Sequence, residues 1–241
     1  MDFPAQQSDF IARKKDSTGQ WFLDAPEFGQ WLDNPKESLF CPGIPGAGKT
    51  MIAAIAIDHL LNAKFADTVG VAYVYCNYKA QAEQDTVNLL AAILKQLVQV
   101  QPSFTKPVKL LYDHHASRRT KPSLEEIFKA LESVLAKYSS VYIIVDALDE
   151  CRDNDGTRHK LLEKLRGLQR KADLRLMVTS RYIPDIMDEF SEALTLEVRA
   201  SDEDVKHFVA GQIYRLPNCV RRDNALKVTV QDKIAKAADG M

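Results

Sequence analysis

Eight consecutive residues, GIPGAGKT at positions 43–50, have the types and spacing of a phosphate-binding loop. They match G-x-x-x-x-G-K-[ST], in which glycines let successive backbone N–H groups point at phosphate oxygens. The lysine supplies a positive charge for the β- and γ-phosphates, and the last hydroxyl is a magnesium ligand. The pattern predicts that these residues bind the cofactor: Gly43, Pro45, Gly46, Ala47, Gly48, Lys49 and Thr50.

The residues around this loop favour the same interpretation. Residues 38–41 form a short apolar run typical of a buried strand, and residues 51–61 are the apolar start of a helix. A strand, a glycine loop and a helix in that order are what phosphate binding requires, because the helix adds the positive end of its dipole. A glycine-rich structural turn is the alternative.

An acidic stretch follows a second apolar run, at residues 141–146. Asp146 ends this run, and at the carboxyl end of a strand it can hold the magnesium ion that Thr50 also contacts. A helix N-cap is the alternative role for Asp146. Asp149 and Glu150 come next, and either one could orient or activate the water that attacks the γ-phosphate.

Arg181 follows a third predicted strand, residues 174–179. If this strand lies between the strand before the loop and the strand of Asp146, Arg181 reaches the γ-phosphate and can distinguish ATP from ADP. A surface arginine is the alternative. We therefore predict Asp149, Glu150 and Arg181 as catalytic residues, and Thr50 and Asp146 as metal ligands.

The elements that position these residues alternate between strands and helices, which predicts an α/β fold with a parallel sheet. Strands are predicted at 69–75 and 193–198, and helices at 86–100, 108–115, 157–171 and 227–239. Ser123–Glu126 is a capping box that opens another helix, and Ser201 is a predicted cap. His114 and His115 diverge on a helix, so a solvated surface pair is predicted.

Three parts follow from this pattern: a helical lead-in at 1–36, a nucleotide-binding core at 37–200, and the start of a C-terminal helical region at 201–241. The lead-in is rich in aromatic residues between positions 21 and 32. An amphipathic helix packed on the sheet edge is the favoured interpretation of that segment. Alternatively, it covers the adenine base.

Composition restricts the classes of partner. The 32 basic and 33 acidic residues nearly cancel, so neither nucleic acid nor a membrane is an expected partner. No apolar run is long enough to span a bilayer, and the N-terminus lacks the pattern of a secretory signal. Four widely spaced cysteines favour reduced thiols in a cytoplasmic protein.

The segments GIPGAGKT at 43–50, YIIVDALDE at 142–150 and LMVTSR at 176–181 resemble the NACHT module of signal-transducing ATPases with numerous domains. TGQWFLDAPEFGQWL at 18–32 resembles the nephrocystin-3-like N-terminal version, common in large fungal proteins with ankyrin or WD repeats. The resemblance implies a three-layer P-loop NTPase fold with sheet order 5-1-4-3-2. It also implies an ATP/ADP switch with Mg²⁺ and slow hydrolysis that controls assembly. Self-association, or contact with other domains of a longer parent protein, is then expected.

Two other functions stay open at this stage. One is a degenerate nucleotide-binding scaffold that does not hydrolyse its ligand. The other is a P-loop kinase or constitutive ATPase, although neither an arginine-bearing lid nor an L-S-G-G-Q-like motif is found. No guanine-selective N-K-x-D motif is present, but this leaves ATP and GTP both possible.

Overall fold

Five parallel strands form the central sheet of the protein, in a computed structural model that describes residues 2–15, 18–63, 68–200 and 202–238. The strand order is β2-β3-β4-β1-β5, which read from the other edge is the predicted 5-1-4-3-2. The strands are β1 Ser38–Pro42, β2 Val69–Tyr75, β3 Ser140–Asp146, β4 Leu174–Ser180 and β5 Leu194–Thr195.

Helices cover both faces of the sheet, which gives the three-layer fold of a P-loop NTPase. They are α1 Phe3–Arg13, α2 Gln20–Leu23, α3 Pro26–Asp33, α4 Lys49–Asn62, α5 Thr86–Val100, α6 Lys106–Arg118, α7 Leu124–Leu135, α8 Thr157–Lys171, α9 Pro184–Glu189, α10 Asp202–Gln212, α11 Asn218–Arg222 and α12 Asn224–Ala238. Helices α1, α3 and α4 pack together on one face, whereas α5, α7 and α8 contact one another on the other.

The two innermost strands explain why the core is so apolar. In β3 every residue after Ser140 is buried, and in β4 all residues except Arg175 are buried. A strand covered by helices on both faces has no solvent side, so it needs a continuous apolar run rather than an alternating one.

At the β2 edge, the Gln96 side chain donates to the Tyr73 carbonyl at 2.8 Å and accepts from its N–H at 3.1 Å.

Most predicted elements are present, and two helices, 86–100 and 157–171, have the predicted bounds. The last strand is shorter than the predicted 193–198. The amide of Val198 still donates to the Pro42 carbonyl at 2.7 Å, but Pro42 has no N–H to donate in return. The β1–β5 ladder therefore stops after Thr195.

The last helix begins at Asn224 rather than 227, and the short helix α11 before it was not predicted. The predicted cap Ser201 lies outside the described residues. Helices α10–α12 form the small C-terminal helical appendage of the predicted fold. The division of the chain at 36/37 and 200/201 stays a prediction.

The prediction that both histidines lie at the surface is wrong for His115. His115 is buried, and its ring contacts the Thr120 hydroxyl at 2.7 Å and Glu126 at 3.2 Å, whereas His114 is exposed. Among the described residues, no helix combines the length and the apolar character needed to cross a membrane.

Candidate functional site

The carboxyl ends of three adjacent strands bring the predicted site residues together. Strand β1 leads into loop 43–50, β3 ends at Asp146, and β4, which lies between them, ends one residue before Arg181. Open parallel sheets place their ligands at this edge. The strand before Arg181 therefore lies between the strand before the loop and the strand of Asp146, as its predicted role requires.

Loop 43–50 is shaped by glycines and closed by its own lysine. Gly46 and Gly48 have φ of 85° and 89°, a region that residues with a Cβ rarely adopt. A Cβ at Gly43 would lie 2.5 Å from the Val198 carbonyl oxygen. Lys49 Nζ donates to the carbonyls of Gly43 at 2.7 Å and Ile44 at 2.9 Å. Burial lowers the pKa of Lys49, while the nearby carboxylates of Asp149 and Asp146 act in the opposite direction.

Asp146 is held by two hydroxyl groups from neighbouring elements. The Thr50 hydroxyl donates to Oδ2 at 2.8 Å, and the Thr179 hydroxyl donates to Oδ1 at 2.6 Å. Thr179 Oγ1 also accepts the Ala147 N–H at 2.9 Å, which fixes the residue after Asp146 at a φ of 53°. Burial raises the pKa of Asp146 to about 6, although both hydroxyl bonds oppose this rise.

The donor set around Asp146 fits a magnesium ion. A carboxylate oxygen and a threonine hydroxyl are hard oxygen ligands, the type that Mg²⁺ prefers. Asp146 is only 2% exposed, and a buried carboxylate is costly to ionise without a positive partner. Thr50 and Asp146 would hold the ion, which when bound supplies positive charge to the phosphates.

Asp149 and Glu150 lie in a single turn after Asp146, but they have different partners. Asp149 binds Arg181 twice, accepting from its backbone N–H at 3.1 Å and from Nε at 2.5 Å. The Asp149 side chain is 4% exposed, while that of Arg181 is 49% exposed. Glu150 instead accepts the Tyr78 N–H at 3.2 Å, and its carbonyl accepts from the Gln81 side chain at 2.9 Å.

These residues line a polar cavity of about 660 Å³, which we call the phosphate cavity. Its walls include both predicted catalytic acids, Arg181 and the end of loop 43–50. Tyr78 and Gln81, which follow β2, complete it. Sequence reasoning missed Thr179, Tyr78 and Gln81 as site residues. Their only signal was position, since Thr179 lies near the carboxyl end of β4 and the other two come shortly after β2.

A second cavity, of about 470 Å³, lies on the other side of the loop, and we call it the apolar cavity. Gly46 and Gly48 line both cavities. Trp21 of the lead-in, Met51 of α4 and Phe208 of α10 line the apolar cavity. The aromatic residues of the lead-in therefore divide between packing on the sheet and lining a cavity. Phe22, Phe28 and Trp31 are fully buried in the core, whereas Trp21 lines the apolar cavity.

The fold of the chain is similar to those of several solved structures. Orc1 of Aeropyrum pernix, solved in complex with DNA, is 15% identical with a TM-score of 0.52; the match covers 88% of this chain and 57% of that one. A Walker-type ATPase of Pyrococcus abyssi is 13% identical with a TM-score of 0.51, over 88% and 66% of the two chains. Cdc6p of Pyrobaculum aerophilum is 12% identical with a TM-score of 0.50, over 84% and 50%.

This chain therefore spans between half and two thirds of the structures that it resembles. At such identities the likeness concerns the fold alone. Among curated protein sequences, none matches the chain significantly.

A family model settles the classification at the level of sequence. The model described as "Nephrocystin 3, N-terminal" matches residues 17–181, which include the lead-in aromatics, loop 43–50, the acidic stretch and Arg181. This match covers more than half of the chain, and the five-stranded parallel sheet has the P-loop NTPase order. The chain thus belongs to the nephrocystin 3 N-terminal family and has a P-loop NTPase fold.

Proposed function

We propose that this chain is a nucleotide-binding module that takes ATP or ADP with Mg²⁺ and uses the bound nucleotide as a switch. The observation that carries the proposal is the hydrogen bond of 2.8 Å between Thr50 and Asp146. It joins the first helix after a glycine loop to the end of a strand two positions away in the sheet. A hydroxyl and a carboxylate in that relation are the usual ligands of a nucleotide-bound magnesium ion.

The two cavities fit the two ends of a nucleotide. Phosphates would lie over loop 43–50 and extend into the phosphate cavity, where Lys49 would exchange its carbonyl acceptors for phosphate oxygens. The base would enter the apolar cavity, whose walls include the ring of Trp21 and the side chain of Met51. Since Gly46 and Gly48 line both cavities, one ligand lying over these glycines would contact both.

Slow hydrolysis is the activity that the acidic turn supports. Glu150 lines the phosphate cavity, and its carboxylate accepts from the neutral Tyr78 N–H rather than from Arg181, so it is the better candidate to orient water. Asp149 instead positions Arg181 through two bonds. Arg181 would sense the γ-phosphate, because its half-exposed side chain borders the same cavity.

Within this proposal the module is of the NACHT, signal-transducing type, and its nucleotide state controls self-association or contact with other domains. A non-hydrolysing scaffold is the second candidate, favoured by the engagement of Asp149 with Arg181. A hydrolysis assay separates the two, since both bind nucleotide and only the first turns it over. Location in the cytoplasm and the absence of nucleic-acid binding stay predictions.

The direct test is to identify the nucleotide that copurifies with the protein. Denaturing the purified chain and analysing the supernatant by mass spectrometry should yield ADP or ATP in near-stoichiometric amount. A Lys49→Ala preparation should yield none. If the wild-type chain carries no nucleotide and binds neither ATP nor ADP at millimolar concentration, the proposal is wrong.

A further inference from the structure

Asp204 of α10 accepts two hydrogen bonds from the lead-in. Its Oδ1 accepts the Gly19 N–H at 3.3 Å, and its Oδ2 accepts the Trp21 indole Nε1–H at 3.1 Å. The partners lie more than 180 positions apart in sequence, as the separations of 185 and 183 residues show. These contacts tie the start of the chain to the first helix after the sheet.

Two of these three residues line the apolar cavity. Trp21 and Asp204 both face it, together with Gly46 and Gly48 of the phosphate-binding loop. Gly19 packs against α4, where a Cβ would lie 2.6 Å from Ile55 Cδ1. The lead-in is therefore held on one side by the helix that follows the loop, and on the other side by Asp204.

The contact with Trp21 has a geometric consequence for a ligand. A Trp side chain turns about two bonds, and a fixed partner for its Nε1–H restricts the plane of the ring. An oriented aromatic ring beside other apolar groups forms a flat wall, and stacking against such a wall contributes to the binding of a nucleobase. An ionised acceptor makes this restraint stronger than a neutral one would.

We infer that Asp204 is a positioning residue for the nucleotide base, because it fixes Trp21 as one wall of the apolar cavity and holds the backbone beside it at Gly19. The inference rests on the proposed function. Asp204 acts on the base alone, since the phosphates contact loop 43–50 on the other side of Gly46 and Gly48. By linkage, binding of the base and the contact between the lead-in and α10 strengthen each other by the same factor.

The test compares ATP with inorganic tripolyphosphate, which has the phosphates and no base. Asp204→Asn should weaken ATP binding about ten-fold, the effect of losing hydrogen bonds to a charged acceptor. Tripolyphosphate affinity should stay unchanged. In a turnover assay, KM for ATP should rise by the same factor while kcat stays constant. Asp232→Asn is the matched control, since it removes a side-chain carboxylate of α12 that contacts Lys206 of α10 at 2.7 Å.

Hydrogen exchange at the Gly19 amide gives a readout independent of affinity. This N–H should exchange faster in Asp204→Asn than in the wild type, and ATP should slow its exchange in the wild type more than tripolyphosphate does. If Asp204→Asn does not fold, Trp21→Phe carries the same comparison of ligands, because it removes the indole donor and keeps an aromatic ring.

Each outcome decides the inference. Equal loss of ATP and tripolyphosphate affinity, or no loss of either, would overturn it and leave the proposed function intact. Failure of the wild-type chain to bind either ligand would overturn the proposed function as well. A loss confined to ATP, with faster exchange at Gly19, supports the role of Asp204.

Discussion

The phosphate cavity and the apolar cavity share Gly46 and Gly48 but are built in different ways. The phosphate cavity takes its polar groups from the ends of adjacent strands, where the sheet itself fixes their spacing. The apolar cavity takes its walls from the lead-in, α4 and α10, which are far apart in sequence. In the proposed function, recognition of phosphate would therefore depend on backbone geometry, while recognition of the base would depend on how separate segments pack.

Lys49→Ala is the change that should separate the two cavities most strongly. It removes the charge for the phosphates and leaves the walls of the apolar cavity untouched, so ATP affinity should fall by about 1,000-fold, as expected for the loss of a buried charge-assisted contact. Weak binding of adenosine should survive. Calorimetry with both ligands measures the difference, with Lys121→Ala as an exposed control. Unchanged ATP affinity would remove Lys49 from the site.

Asp146→Asn should have opposite effects on stability with and without ligand. The pKa of Asp146 in the folded protein, about 6, lies above its ordinary value of 3.8, so the ionised carboxylate destabilises the nucleotide-free protein. At pH 8 the variant should be more stable by up to ~3 kcal/mol. This advantage should shrink as the pH falls through 6 and vanish below about 3.8.

With Mg²⁺ and ATP the order should reverse, because the wild type gains more stability from the ligand. Urea unfolding at several pH values, with and without ligand, measures both effects. A variant that is less stable than the wild type at pH 8 without ligand would contradict this account of Asp146.

Neutralising the acidic turn should leave both cavities able to bind and slow only the chemistry. Asp149→Asn combined with Glu150→Gln should keep ATP affinity within a few-fold and reduce turnover about 100-fold, the usual contribution of a positioned acid or base. The single variants sharpen the assignment: Glu150→Gln should account for most of the loss, and Asp149→Asn should mainly reduce the preference for ATP over ADP. Hydrolysis rates equal to that of the wild type in all three variants would exclude both acids from the mechanism.

The smallest effect is expected from a residue outside both cavities. Ser123 caps α7, accepting the Glu126 N–H at 3.4 Å and donating its own N–H to the Glu126 carboxylate at 2.8 Å. Ser123→Ala should lower Tm by about 2–4 °C with no change in nucleotide affinity. The Ser123 N–H and, at 2.7 Å, the Ser123 hydroxyl both donate to the Glu126 carboxylate and lower its pKa to about 2. The variant keeps the N–H bond and loses the hydroxyl bond, so the part of the wild-type advantage that depends on the ionised carboxylate should be present above pH 4.5 and decline as the pH falls toward 2.

The comparison of cavities also explains what the sequence could predict. Loop 43–50 and Arg181 each follow an apolar run that is recognisable as a strand, and Asp146 ends one, so the sheet order implied by the resemblance was enough to expect them at one edge. Asp204 and Phe208 lie on a helix with no distinguishing pattern, and nothing local links them to Trp21. The role of Thr179 was hidden as well, because its two bonds depend on the lateral neighbours of β4. The burial of His115 depends in the same way on Thr120 and Glu126, which come from a different turn and helix.

If the chain binds nucleotide as proposed, Lys49 must exchange the two carbonyls that accept from it for phosphate oxygens. An ammonium group that already has protein acceptors gains little enthalpy when it exchanges them for phosphate oxygens, because hydrogen bonds are lost as others form. Its rotation away from Gly43 and Ile44 would then be a separate step of nucleotide binding. The rate of loading would accordingly respond to the barrier for that one side chain, and not only to how often nucleotide and protein collide.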